Sequence, residues 1–137
     1  MKMQTLIAVR DVAASSAWYR ALLDCRSGHG GDHYEQLLAH GEDEFFMQLH
    51  AWGEHAHPNL GDPDAAVHGY GTVLWFRVDD FDAALERAMR LQAQVIEPAH
   101  VNPRANHREC WLRDPDGYVV VLASRYGELG DVRPHDT

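Results

Sequence analysis

Hydrophobic and polar positions follow the same course twice along this chain. Thr5-Leu6-Ile7-Ala8-Val9 and Thr72 to Val78 are short runs of alternating or continuous apolar residues, and each predicts a β-strand. Each run is followed by an aspartate, Asp11 or Asp80, at the place a helix N-cap occupies. Apolar residues then recur at helical spacing, Trp18 and Leu22 in the first copy and Phe81, Ala84, Leu85 and Ala88 in the second. The segment Val9 to Leu23 can be laid over Val78 to Gln92 residue for residue. Self-similarity of this kind points to an architecture of repeated units.

After each helix the periodicity switches to strands and turns. Ser27-Gly28-His29-Gly30-Gly31-Asp32 predicts a loop, with short strands near His33 to Leu38 and Glu44 to Leu49. In the second copy, Gln94 to Glu97 and Arg108 to Leu112 predict strands. Asp114-Pro115-Asp116-Gly117 then makes a tight turn into a terminal strand over Tyr118 to Ala123. The whole chain, 1–137, therefore reads as one α+β domain of two tandem βαβββ modules, residues 4–50 and 72–124. A connecting loop spans 51–71, and 125–137 form a polar tail expected to fray.

Composition narrows the classes of function. The 137 residues are 45% hydrophobic and 24% charged, a globular balance. No apolar run approaches the roughly 20 residues of a membrane span, and the N-terminal segment reaches Arg10-Asp11 too soon for a signal peptide. Two cysteines, Cys25 and Cys110, make no disulfide framework, so a cytoplasmic location is expected. Cys110 reads as a small buried hydrophobe rather than a nucleophile, and Cys25, directly after Asp24 at a helix end, has no supporting motif either. With 12 basic against 21 acidic residues the formal charge is −9, and Lys2 is the single lysine. A chain this acidic is a poor partner for nucleic acid or an anionic membrane. Ten histidines would carry the formal charge from −9 to +1 if all were protonated, making solubility pH-sensitive.

The chain resembles the vicinal oxygen chelate superfamily, which includes glyoxalase I, extradiol dioxygenases, fosfomycin-resistance transferases and bleomycin-resistance proteins. The resemblance rests on Val9-Arg10-Asp11-Val12, on the Trp18-Tyr19 pair and on Asp114-Pro115-Asp116-Gly117-Tyr118, and spans Gln4 to Ser124. It implies a curved mixed sheet around a cavity, with the helices on the outer face. It also implies a common dimeric arrangement, so a homodimer is expected. Counting back seven residues from Asp11 and from Asp80 places the family's metal-ligand positions at Gln4 and Val73. The last-strand positions fall at Gln48 and Val121.

Two of those four positions are valines, and a Val methyl has no lone pair to offer a cation. Two neutral glutamine amides do not offset the desolvation of a divalent ion. No metal or other cofactor is therefore expected. Strand alternation groups Gln4 with Leu6, Gln48 with His50, Val73 with Trp75 and Arg77, and Val119 with Val121. Such a lining suits a small aromatic or cationic organic ligand, with Trp75 as a stacking surface, although Val73 and Trp75 could equally fill a core. His107 and Glu109 share one strand face and add candidate polar contacts or acid–base chemistry; a hydrated strand end is the plainer alternative. His50, His55 and His57 could chelate a transition metal or stand in solvent. The sequence thus supports a binding protein without metal chemistry. The alternative is a metal-dependent lyase, isomerase or dioxygenase with displaced ligands such as His50, Gln4 and Glu109.

Overall fold

A computed structural model describes residues 1–53 and 58–132. The chain forms two compact units, Met1–His68 and Gly69–Thr137. The first contains β1 (Thr5–Val9), α1 (Val12–Leu23), β2 (Arg26–Ser27), β3 (Tyr34–Leu38) and β4 (Met47–Ala51), with a short 3-10 turn at Pro58–Leu60. The second contains β5 (Leu74–Arg77), α2 (Phe81–Arg90), β6 (Gln94–Asn102), β7 (His107–Arg113) and β8 (Val119–Ala123). Their sheets are open and four-stranded, in the orders β1-β4-β3-β2 and β5-β8-β7-β6. In each, the first and last strands pair in parallel and the other pairings are antiparallel. The α+β architecture of two βαβββ modules is thus present, one module per unit.

The matched aspartates explain why both helices start where they do. The Asp11 carboxylate accepts a hydrogen bond from the Ala14 amide at 2.9 Å, and Asp80 accepts one from Ala83 at 3.0 Å. Each satisfies an amide that has no partner inside the helix. Helix α1 buries Val12, Tyr19 and Leu22 in the first unit, whose core also holds Val9, Leu37, Met47 and Leu49. Helix α2 buries Phe81, Ala84 and Ala88 in the second, where Leu74, Leu112, Val120 and Leu122 complete the core.

Several strand limits differ from the expected ones because a strand runs only as far as its partner. The first unit's last strand begins at Met47, not Glu44, since β1 begins at Thr5 and Thr5 pairs with Met47. Strand β5 is shorter than Thr72 to Val78, and Val73 lies just ahead of it. The strand expected at Gln94 to Glu97 continues to Asn102. Its nine residues pair with seven in β7, and two register shifts between Val95 and His100 absorb the excess. Pro98, which has no N–H to give a ladder, sits in that irregular stretch. Ser27, assigned to a loop from sequence, forms the two-residue strand β2 with Arg26.

The terminal turn is built as the sequence suggests. Asp114 accepts hydrogen bonds from the amides of Asp116 and Tyr118, both at 2.9 Å, and Gly117 has φ of 91°. Residues 125–132 do not trail away. Gly127 donates its amide proton to Ala105 at 2.8 Å and Leu129 to Asn106 at 2.9 Å, while Glu128 pairs with Arg108 at 2.8 Å. No helix among the described residues is long and apolar enough to cross a membrane.

Candidate functional site

In the first unit, register places Leu6, Gln48 and Gln36 side by side across three strands, with Ala8, His50 and Tyr34 in the next row. The Gln48 amide nitrogen donates to the Gln4 carbonyl at 2.9 Å, and Gln4 donates to the Phe45 carbonyl at 3.1 Å. Tyr34 donates its hydroxyl proton to Gln48 Oε1 at 2.6 Å and accepts from Gln36 at 3.2 Å. His50 lies edge-on to the Tyr34 ring, 6.1 Å between centroids, with Nδ1 against the Ala51 carbonyl at 2.8 Å. Gln4, Gln48 and His50 thus share one polar face. Tyr34 and Gln36 belong to it as well, and the alternation in Tyr34-Glu35-Gln36 was the signal that could have found them.

Glu35, between those two, points the other way and is 3% exposed. Its Oε2 accepts from Ser16 at 2.8 Å and Ser27 at 2.7 Å, and its Oε1 accepts from the amides of His29, Gly30 and Gln36 at 3.1, 2.7 and 3.0 Å. Burial alone would raise its pKa. The hydrogen bonds from Ser27, Gly30, Ser16 and His29 outweigh it and hold the carboxyl down at about 2. This carboxylate ties α1, β2 and the glycine loop to β3 and is a structural anchor.

In the second unit, Val121 pairs with Trp75 on one side and Trp111 on the other, and Ala123 lies between Arg77 and Glu109. The two indoles meet at right angles with centroids 6.3 Å apart. Trp75 is 46% exposed, whereas Val121 is fully buried. Next to them Glu109, also buried, accepts hydrogen bonds from His107 Nε2 at 2.6 Å, Asn102 at 2.9 Å and the Trp111 indole at 2.9 Å. Burial opposes the charge on Glu109, but the bonds from Trp111, Asn102 and His107 prevail and its pKa is lowered. His100 stands 3.7 Å from the same carboxylate.

His107 is buried too, flanked by Trp75 at 5.8 Å and Tyr126 at 6.4 Å between ring centroids. Its Nδ1 is buried and has no hydrogen-bond partner among the described residues. Arg108 points to the opposite face, where it pairs with Asp82 and Glu128 and lies 4.8 Å over the Phe81 ring. A groove of about 410 Å³ opens beside α2 on that face, lined in part by Leu85, Met89, Val95, Pro98 and Cys110.

The structure therefore brings Gln4, Gln48 and His50 to one face of the first sheet, and Trp75, His107, Glu109 and Val121 to one face of the second. Val73 precedes β5 and is 38% exposed. His55 and His57 lie outside the described residues. The four positions at which the resemblance places metal ligands do not fit a divalent cation. Val73 and Val121 have no donor atoms, and Gln48 Oε1 is already engaged by the Tyr34 hydroxyl. Among the described residues, no group of three or more His, Cys, Asp or Glu is arranged to hold a metal.

Comparison with known proteins agrees with the architecture. The family model described as Glyoxalase/Bleomycin resistance protein/Dioxygenase superfamily matches residues 3–122. Among solved structures, the chain is similar to the fosfomycin resistance protein FosX from Mesorhizobium loti, at 17% identity and a TM-score of 0.65, over 90% of this chain and 91% of that one. It is also similar to TioX from Micromonospora sp. ML1, at 18% identity and 0.68, over 92% and 98%. Lactoylglutathione lyase from Agrobacterium tumefaciens matches at 20% identity and 0.65, over 90% and 92%. No curated protein matches the sequence. At these identities the structural matches speak for the fold alone.

Proposed function

The chain belongs to the glyoxalase/bleomycin resistance protein/dioxygenase superfamily, and from that premise we propose that it binds a small aromatic or cationic organic ligand without a divalent metal. The observation that carries this reading is the exposed Trp75 indole standing at a right angle to Trp111, beside a Glu109 carboxylate whose hydrogen bonds keep it charged. An aromatic plane backed by a fixed anion favours a flat or cationic guest through stacking and cation–π attraction. His107 and Val121 border that corner, with Val73 at its strand's leading end. Gln4, Gln48 and His50 offer hydrogen bonds on the first unit's own face.

The displaced-ligand enzyme is the weaker reading, because the carboxylate it needs, Glu109, already accepts from three side chains of its own sheet. A cytoplasmic setting is part of the proposal, supported by the free, buried thiols of Cys25 and Cys110. So is a homodimer, supported by exposed Val95, Ile96 and Val101 along the edge strand β6.

Tryptophan fluorescence during titration with an aryl quaternary ammonium such as phenyltrimethylammonium tests the ligand reading. The expected result is saturable quenching that chelator leaves unchanged and that weakens at least about tenfold in Trp75→Ala. Quenching that chelator abolishes, or full affinity in a Trp75→Ala, Gln48→Ala double variant, would contradict it.

A further inference from the structure

Building on that ligand reading, we infer that His107 Nδ1 is an atom the ligand docks on, and that the ligand carries an N–H or O–H donor next to its aromatic ring. The Glu109 carboxylate sets the chemistry of the imidazole. It is ionised and can only accept, so the 2.6 Å contact requires His107 Nε2 to carry a proton. In the neutral ring Nδ1 is then a bare lone pair, and no donor among the described residues reaches it. A buried acceptor with nothing to accept from is uncommon, and a donor from outside the chain, a water or a ligand, would satisfy it.

The surroundings say what kind of occupant it is. Glu109 holds the imidazole rigidly, and Asn102 and Trp111 hold Glu109 in turn, so Nδ1 keeps a fixed direction. The two rings flanking His107, Trp75 and Tyr126, are themselves 46% and 64% exposed. Both rings are therefore partly open to solvent beside the buried imidazole, which a planar group would reach by displacing one of them. The His107 and Trp75 ring centres are 5.8 Å apart, so a guest stacked on the indole lies next to the imidazole, and a hydroxyl or amino group on its ring is the donor it would present there. The ligand class is a phenol, an arylamine or an arylalkylamine rather than a bare hydrocarbon or an ether.

The matched probes 4-ethylphenol and 4-ethylanisole differ only in the donor proton that methylation removes. Two-bond ¹H–¹⁵N spectra at about pH 8, above the ordinary histidine range, report the tautomer and its perturbation directly. The expected result is an Nε2–H tautomer for free His107, an Nδ1 resonance that moves with the phenol alone, and at least about tenfold weaker binding of the anisole. His107→Phe keeps an aromatic ring in place and should erase the discrimination between the phenol and the anisole. Should that variant fail to fold, the wild-type spectra still decide. Equal affinity for both probes with Nδ1 unmoved overturns this inference and leaves the ligand reading standing, as does an Nδ1–H tautomer in the free protein. Absence of Trp75 quenching by any of the three compounds overturns both.

Discussion

Replacing Glu35 by glutamine separates the charge of this buried anchor from its shape. The Glu35 carboxyl is held at about 2 against an ordinary 4.5, a difference of 4.5 − 2 = 2.5 pKa units. At 1.36 kcal/mol per unit, ionised Glu35 stabilises the fold by about 3 kcal/mol. The folded value is the lower one, so this contribution is complete above about pH 4.5 and is lost as the pH falls towards about 2.

Glutamine can occupy the same cradle. Its carbonyl oxygen takes the Oε1 place facing the three backbone amides, and its NH₂ group donates to the two serine hydroxyls, which can turn to accept. Glu35→Gln should therefore lose stability at pH 7 by about 2–3 kcal/mol, the charge-assisted share, yet remain folded. Glu35→Ala strands all five donors and should cost more. Urea unfolding of wild type and Glu35→Gln between about pH 6 and pH 3 is the assay. Taking the difference between the two proteins cancels the histidines and the other carboxylates common to both. That difference should shrink steadily below about pH 4.5. A difference that stays flat across the range would refute the argument and mean that Glu35 is not held charged by its cradle.

Two further results follow from the same structure. Asp11→Ala and Asp80→Ala should each lower unfolding free energy by about 1 kcal/mol, with most of the loss recovered by serine at the same place. Unchanged urea midpoints would show that the matched caps do not hold the helices. Burial pushes the Cys25 thiol up to about 11 and raises Cys110 as well, so neither should react with a thiol reagent at neutral pH until the protein unfolds. Rapid native labelling of either would contradict their burial.

The sequence revealed the elements whose own residues define them. Asp11 and Asp80 marked the helix starts because capping is local, and the Asp114 turn was visible because its chemistry is complete within five residues. Features set by a distant partner were less legible. Strand β6 runs through Pro98 only because β7 is there to pair with it, and most of its residues are exposed, leaving no alternation to detect. The anchor at Glu35 had a signal that was not used, a charged residue in step with buried Leu37, but its partners Ser16 and Ser27 meet it only in three dimensions. Alternation did group His107 with Glu109 on one face. That Glu109 would also collect Asn102 depends on the register of β6 against β7, which sets Asn102 opposite His107.

Elemental analysis of tag-free protein purified without a nickel column tests the metal-independent account most directly. The account predicts far less than one transition-metal or other divalent ion per chain, with phenyltrimethylammonium binding equally well before and after chelator. One equivalent of a divalent ion that disappears in Gln48→Ala or His50→Ala would contradict it.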